Sequence, residues 1–251
     1  MEGPYFSKAR RGAQNADYLS APSIADFSDL QKVSGEAIRT VAIAPELPGS
    51  MEFIEKVSPK AIISIAHTEA DYKTAKSAFE HGASHVTHMF NGMNAFDKRE
   101  PGVVGAAAEL ADYVEIIVDG FHLHPSMVRA VFKLFTDDRV CLISDAMRAC
   151  GMPEGTYDLG DLTVTVSGGK ATIMGGSLAG STATLFDCFR NAWLYGLKLE
   201  SVIKAATSNP AKAVGIYNLV GSITPGKLAD LLILDKELHI QHIIKDGLLI
   251  K

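Results

Sequence analysis

Four residues able to ligate a metal or move a proton stand at the ends of short apolar runs. His67 closes AIISIAH, His88 lies near the end of SHVTHMF, His122 closes VEIIVDGFH and Asp145 falls at the end of VCLISDA. A fifth run, TVAIAP, ends at Pro45 without such a group. Each residue alone has a plain structural reading: a histidine at a strand end is usually a hydrogen-bonded scaffold residue, and an aspartate can cap the next helix. Their recurrence at four strand ends points instead to a metal or acid-base site. Imidazole and carboxylate donors together suit a borderline divalent ion such as zinc. Such an ion acidifies water, and a nearby aspartate can take that proton and return it to a leaving group. This is hydrolytic chemistry. The spacing is not HExxH, so a helix-borne protease site is not indicated.

Those four ends matter only if the runs are strands of one sheet. All five are rich in β-branched residues and nearly continuous, as strands buried on both faces are. Helical stretches lie between them. Asp71 to His81 has apolar residues at helical spacing and stops at Gly82, and Pro125 to Phe135 starts with proline in its first turn,. Alternation of this kind predicts βα units and a parallel sheet, with the functional groups at its C-terminal edge. His85, three residues before His88, then points to the opposite face and packs against helices. His81 sits at a helix C-terminus, where a cationic ring is favoured. His239 and His242 lie in the tail, and no role is assigned to them.

After Asp145 the pattern changes. Residues 156–174 read as a β-hairpin turning at Ser167-Gly168-Gly169, followed by helices over roughly 181–196, 199–206 and 210–215 and a strand-turn-strand tail,. The loop NGMNAFDKREPG (91–102) follows His88 and brings Asn91, Gly92 and Arg99; turn N–H groups with one arginine can hold an anionic oxygen cluster,. GGSLAGS (175–181) is a second small-residue loop, suited to close approach to a ligand or to capping the helix at Ser181,.

The chain has 251 residues, 47% of them hydrophobic, with a net charge of -5. That is enough for a sizeable core, and the acidic balance argues against nucleic acid as a partner. No apolar run approaches the roughly 18 residues of a membrane span. No signal peptide is visible, and three cysteines without CxxC spacing fit a reducing cytoplasm,.

Taken in order, several stretches resemble the N-acetylglucosamine-6-phosphate deacetylases of the amidohydrolase superfamily. They are EGPYFSKARRGAQ (2–14), AHTEADY (66–72), VTHMFNGMNAFDKREPG (86–102), VDGFH (118–122), ISDAM (143–147), GGSLAGS (175–181), SNPAKAVGI (208–216) and GSITPGKLADLLILD (221–235). The resemblance implies Glu2, His67 and His88 as metal ligands, Asp145 as the catalytic acid-base, and His122 as the group that polarises the acetyl carbonyl. It implies substrate contacts at Ala13, Asn91, Gly92, Arg99, Asp119, Leu178, Ala179 and Gly180, with the arginine supplied across a homodimer. Gln14 stands where some relatives carry a histidine, which favours one divalent ion over two. Zinc is expected, with iron, manganese, cobalt and nickel as alternatives.

The implied fold is α/β. It is an incomplete (β/α)8 barrel of TIM type, about its last five to six strands, over 1–220. A β-hairpin insertion and the C-terminal strands of a small β-sandwich over 221–251 complete it. With Glu2 as a ligand at a strand end, the chain is expected to begin inside the third barrel strand. The implied activity is deacetylation of N-acetylglucosamine 6-phosphate in the cytoplasm. The alternatives are hydrolysis of another amide, or a truncated chain that only binds sugar phosphate or metal.

Overall fold

The computed structural model describes residues 1–250. The five apolar runs form β1 (Thr40–Ile43), β2 (Ile62–Ile65), β3 (Ala83–Val86), β4 (Tyr113–Ile117) and β5 (Val140–Ile143). They make one parallel sheet in that order. Val41 pairs with Ile63 and Ile116 with Leu142, so the outward-pointing aliphatic residues fall in rows. Over them lie α1 (Ile24–Val33), α2 (Ser50–Val57), α3 (Tyr72–Glu80), α4 (Gly102–Leu110) and α5 (Pro125–Phe135). Local chemistry sets their starts. The Asp71 carboxylate accepts from Thr74 N at the head of α3, and Pro125 occupies the first turn of α5 behind His124,.

Ile43, Ile63, Ile65, Val114, Ile116 and Leu142 share one buried cluster with Phe53, Ile54, Phe79, Val131 and Phe135 of the helices. Each such side chain contributes about 1.5–3 kcal/mol when taken out of water. His85 lies buried on this outer side, its Nδ1 2.8 Å from Ser84 Oγ and its ring 5.4 Å from that of Tyr113. Burial pulls its imidazolium down to about 4.

The β1 edge is occupied by the first residues of the chain. Ala42 N donates to Met1 O at 2.9 Å and Ala44 N to Tyr5 O at 2.8 Å. This extended segment carries Glu2 to the same end of the sheet as the strand-end histidines. The opposite edge, past β5, is extended among the described residues by a parallel bridge between Ala146 and Ser181.

The expected hairpin is a three-stranded meander: β6 (Gly155–Leu159), β7 (Leu162–Ser167) and β8 (Lys170–Ile173). Its first run is broken by a turn at Gly160-Asp161, both in left-handed conformation, which periodicity across 156–166 did not reveal. The helix expected from 181 begins later, as α6 (Leu185–Leu194), because Thr184 and Asp187 form a reciprocal capping box,. Then come α7 (Leu199–Ala206) and α8 (Ser208–Ala213). The tail holds three strands rather than two, β9 (Leu231–Leu234), β10 (Ile240–Lys245) and β11 (Leu248–Leu249), in an antiparallel sheet. Leu238 of this tail is buried in the main core cluster. No helix among the described residues is long and apolar enough to cross a membrane. The cysteines are free. Cys141 and Cys188 are buried, and burial pushes the Cys188 thiol up to about 11, so neither has nucleophile character,.

Candidate metal centre and active-site cavity

The residues that end β2, β3 and β5 leave the sheet in an unusual way. His67, His88 and Asp145 all have positive φ, at 45°, 33° and 49°. For residues with a Cβ this conformation costs on the order of 1–3 kcal/mol and persists only where neighbours enforce it. Each of the three carbonyls is caught by a loop. Ser7 N donates to His67 O at 2.9 Å, Asn91 N to His88 O at 2.9 Å, and Ser181 N to Asp145 O at 2.7 Å. The strand ends are thereby turned so that their side chains converge.

The convergence is tight. His67 Nε2 lies 3.4 Å from Glu2 Oε1, His88 Nε2 lies 3.6 Å from the same oxygen, and the two Nε2 atoms are 3.1 Å apart. His67 Nδ1 donates to Arg10 O at 2.8 Å, which fixes the tautomer and leaves the Nε2 lone pair aimed at the other two groups,. Two imidazole nitrogens and a carboxylate oxygen that face one another need a proton or a cation between them. The triangle of 3.1, 3.4 and 3.6 Å matches the ligand-ligand spacing of about 3.3 Å that follows from tetrahedral metal bonds near 2.0 Å,. The donor set therefore fits a divalent ion,. Hydrogen bonding to His67 and His88 holds the Glu2 carboxyl well below the usual carboxylate range, against its burial. Burial opposes charge on His88, but Glu2 outweighs it and the net shift is upward. The Glu2 side chain is 41% exposed, against 10% for His67 and 4% for His88, so it is the ligand most open to water.

These ligands line a cavity of about 480 Å³, within the range of small-molecule sites,. Asp145 and His122 line it too. Burial, and then the Glu2 charge, push the Asp145 carboxyl upward, so it takes up a proton more readily than a surface aspartate,. The wall also includes Ala13, Asn91, Gly92, Leu178 and Gly180. Three residues expected at the substrate are not among those lining this cavity. Ala179 is fully buried, its N–H donating to Ala171 O in the meander. Arg99 is exposed on the 96–101 loop, outside this cavity. Asp119 stands behind His122: its Oδ2 accepts from His122 Nδ1 at 2.8 Å, and its Oδ1 accepts from the N–H groups of Phe121 and His122 at 2.9 Å. Burial works against the Asp119 carboxylate, yet these donors hold its carboxyl below the ordinary value.

Sequence reasoning did not foresee that Ser181 anchors the end of β5, and it did not single out Leu159. Ser181 is buried and binds the β5 end twice, through N–H to Asp145 O and through Oγ to Ser144 O at 2.5 Å. Leu159, at the end of β6, brings the meander over the cavity. Gly180 in the same loop has φ 60°, and a Cβ there would meet Asp145 O at 2.8 Å. Gly180→Ala is therefore expected to cost about 1–3 kcal/mol of stability and to lower kcat by displacing Asp145; thermal unfolding beside steady-state kinetics checks both.

With this geometry in place, comparison with known proteins is decisive about kinship. The sequence profile of the amidohydrolase family matches residues 24–249. The chain belongs to the amidohydrolase family. An N-acetylglucosamine-6-phosphate deacetylase of Lysinibacillus sphaericus is 39% identical, over 98% of this chain and 64% of that protein. An N-acetylgalactosamine-6-phosphate deacetylase of Escherichia coli is 35% identical, over 98% of this chain and 66% of that protein. A solved N-acetyl-D-glucosamine-6-phosphate deacetylase of Mycobacterium smegmatis, in complex with N-acetyl-D-glucosamine-6-phosphate, superposes with a TM-score of 0.95. It is 35% identical, over 99% of this chain and 67% of that one. This amidohydrolase chain thus spans about two thirds of the proteins it matches. The likeness makes its five-stranded sheet an arc of the amidohydrolase barrel, with the candidate metal-binding groups at the C-terminal strand ends,.

Proposed function

We propose that the protein is a metal-dependent hydrolase of amino-sugar catabolism that converts N-acetylglucosamine 6-phosphate to glucosamine 6-phosphate and acetate. One observation carries this reading. Three ligand atoms spaced for a single divalent ion share a cavity with a proton-accepting carboxylate, a buried imidazole and the Asn91-Gly92 turn. Two imidazoles and one carboxylate favour zinc. When bound, a divalent ion supplies Lewis-acid activation of water and of the amide carbonyl. Asp145 accepts a proton from the attacking water and delivers it to the leaving nitrogen. His122 keeps a proton on Nδ1 for Asp119 and turns Nε2 to the cavity, where a proton on Nε2 would be donated to the oxygen on which negative charge builds,. The C–N bond breaks, the amine leaves with the proton, and water's oxygen stays in the acetate.

The phosphate is held by the Asn91-Gly92 turn and by Arg99 of a second copy of the chain. The exposed position of Arg99 outside its own cavity supports this assignment and the homodimer it requires. The free cysteines agree with a reducing cytoplasm,.

The test is acetate release with zinc present, from N-acetylglucosamine 6-phosphate, from its unphosphorylated sugar, and from N-acetylgalactosamine 6-phosphate, the substrate named for the Escherichia coli relative. The phosphorylated glucosamine derivative is expected to react best. Loss of the phosphate should reduce kcat/KM by about 10² or more, since each charged hydrogen bond contributes about 1.5–3 kcal/mol. Chelation followed by gel filtration should abolish turnover, and zinc should restore it. Full activity in metal-free protein would overturn the reading.

A further inference from the structure

The apolar run that holds β1 ends at Pro45 without a chemical group, but the next residue supplies one. We propose that Glu46 is a positioning residue that holds the metal ligand His67 in its left-handed conformation; the proposal rests on the metal site described above. Both oxygens of the Glu46 carboxylate reach across to the end of β2. Oε2 accepts from the Thr68 hydroxyl, and Oε1 accepts from Glu69 N at 2.7 Å. Thr68 Oγ1 in turn accepts from Ala70 N at 2.8 Å, so its own proton has no other assignment and is directed at Glu46. Thr68 is completely buried. The carboxylate thus fixes the hydroxyl of the residue after His67 and the backbone of the one after that.

His67 is then bracketed from two directions. On one side the 7–10 loop takes its carbonyl, through Ser7 N, and its Nδ1–H, through Arg10 O. On the other, Glu46 clamps Thr68 and Glu69. A non-glycine residue at φ 45° is held there only while both brackets stand,. Release of the Glu46 side lets the backbone at residue 67 relax toward an ordinary conformation. Nε2 then swings away from Glu2 Oε1 and His88 Nε2. The same clamp touches the anion-binding turn, because Thr68 N donates to Gly92 O at 2.9 Å and Asn94 Nδ2 to Glu69 O at 2.9 Å. Glu46 does not line the cavity, so its effect is transmitted entirely through Thr68 and Glu69.

The experiment measures zinc affinity of the intact chain by competition with a chromophoric chelator, for wild type, Glu46→Ala, Thr68→Val, their double variant and Thr68→Ser. Loss of a group that orients a metal ligand weakens metal binding by about 10–100-fold. Glu46→Ala and Thr68→Val are each expected to fall in that range. The double variant should be no weaker than the worse single one, and Thr68→Ser, which keeps the hydroxyl, should bind like wild type. At saturating zinc kcat should recover, since no reacting group is lost. Glu46→Gln keeps the volume and serves if Glu46→Ala does not fold; it is expected to weaken zinc by at least a few-fold. A second readout needs no metal: the hydrogen-bonded His67 Nδ1–H gives a protected imidazole proton signal in wild type that should be lost in Glu46→Ala. Unchanged zinc affinity and an unchanged His67 signal, with only a lower melting temperature, would overturn the proposal. Failure of wild type itself to bind zinc would overturn the metal reading instead, and the His67 signal would still decide what Glu46 does.

Discussion

Asp145→Asn is expected to keep metal and sugar-phosphate binding while kcat falls by about 10³-fold, within the range that general acid-base catalysis contributes. Asparagine matches aspartate in shape, and the backbone anchor from Ser181 N to Asp145 O is untouched by the substitution. The residues proposed to hold the metal are Glu2, His67 and His88, so none of the ion's donors is touched. What disappears is the group proposed to take a proton from water and give it to the amine. Burial and the neighbouring Glu2 charge raise the Asp145 carboxyl, which strengthens it as a base relative to an exposed aspartate,. An amide cannot do this at any pH. Steady-state kinetics with calorimetric binding of N-acetylglucosamine 6-phosphate separates the two effects. A drop in kcat smaller than about 10-fold would remove Asp145 from the proton-transfer role.

The parts of this site that are legible in the sequence are those that follow from burial and strand period. A strand inside a parallel sheet must be apolar throughout, so a histidine or aspartate at its end stands out, and His67, His88, His122 and Asp145 do. His85 is placed by the same logic, since odd spacing from His88 sends it to the helix side, beside Tyr113. The illegible parts depend on loops folding over one another. Nothing local to Ala179 says that it faces Ala171 while Leu178 beside it faces the cavity. Glu46 looks like a surface acid after Pro45 until β2 is set next to β1 and Thr68 comes within reach. Ser181 reads as a helix cap because a capping serine and a strand-bridging serine share the same chemistry. Only the better reciprocal partners at Thr184 and Asp187 free it for Asp145. Asp119 is the clearest case. Motif resemblance puts it at the substrate together with His122, and the structure adds that three donors from residues 121 and 122 engage its two oxygens.

That engagement makes Asp119→Asn the second large effect. The Asp119 Oδ1 position accepts two backbone N–H groups, so the amide oxygen of an asparagine must stay there. Its NH2 then faces His122 Nδ1, where wild type has an accepting oxygen at 2.8 Å. Two donors cannot face each other at that distance, and His122 must give up its Nδ1 proton. The ring is thereby locked as the neutral Nε2–H tautomer. It can still donate one hydrogen bond to the acetyl oxygen, but it can no longer carry the positive charge that answers a developing oxyanion. Loss of the correct histidine tautomer beside a buried aspartate costs about 10⁴ in kcat in the serine-protease triad. Because one hydrogen bond to the substrate survives here, a loss of roughly 10²–10³ in kcat is expected, with KM little changed. Imidazole nitrogen NMR reads the cause directly: His122 Nδ1 should be protonated in wild type and unprotonated in the variant. If the tautomer switches and kcat does not fall, oxyanion stabilisation comes from elsewhere in the cavity. If neither changes, the Asp119–His122 bond is only a structural link between the β4 end and the turn that follows it.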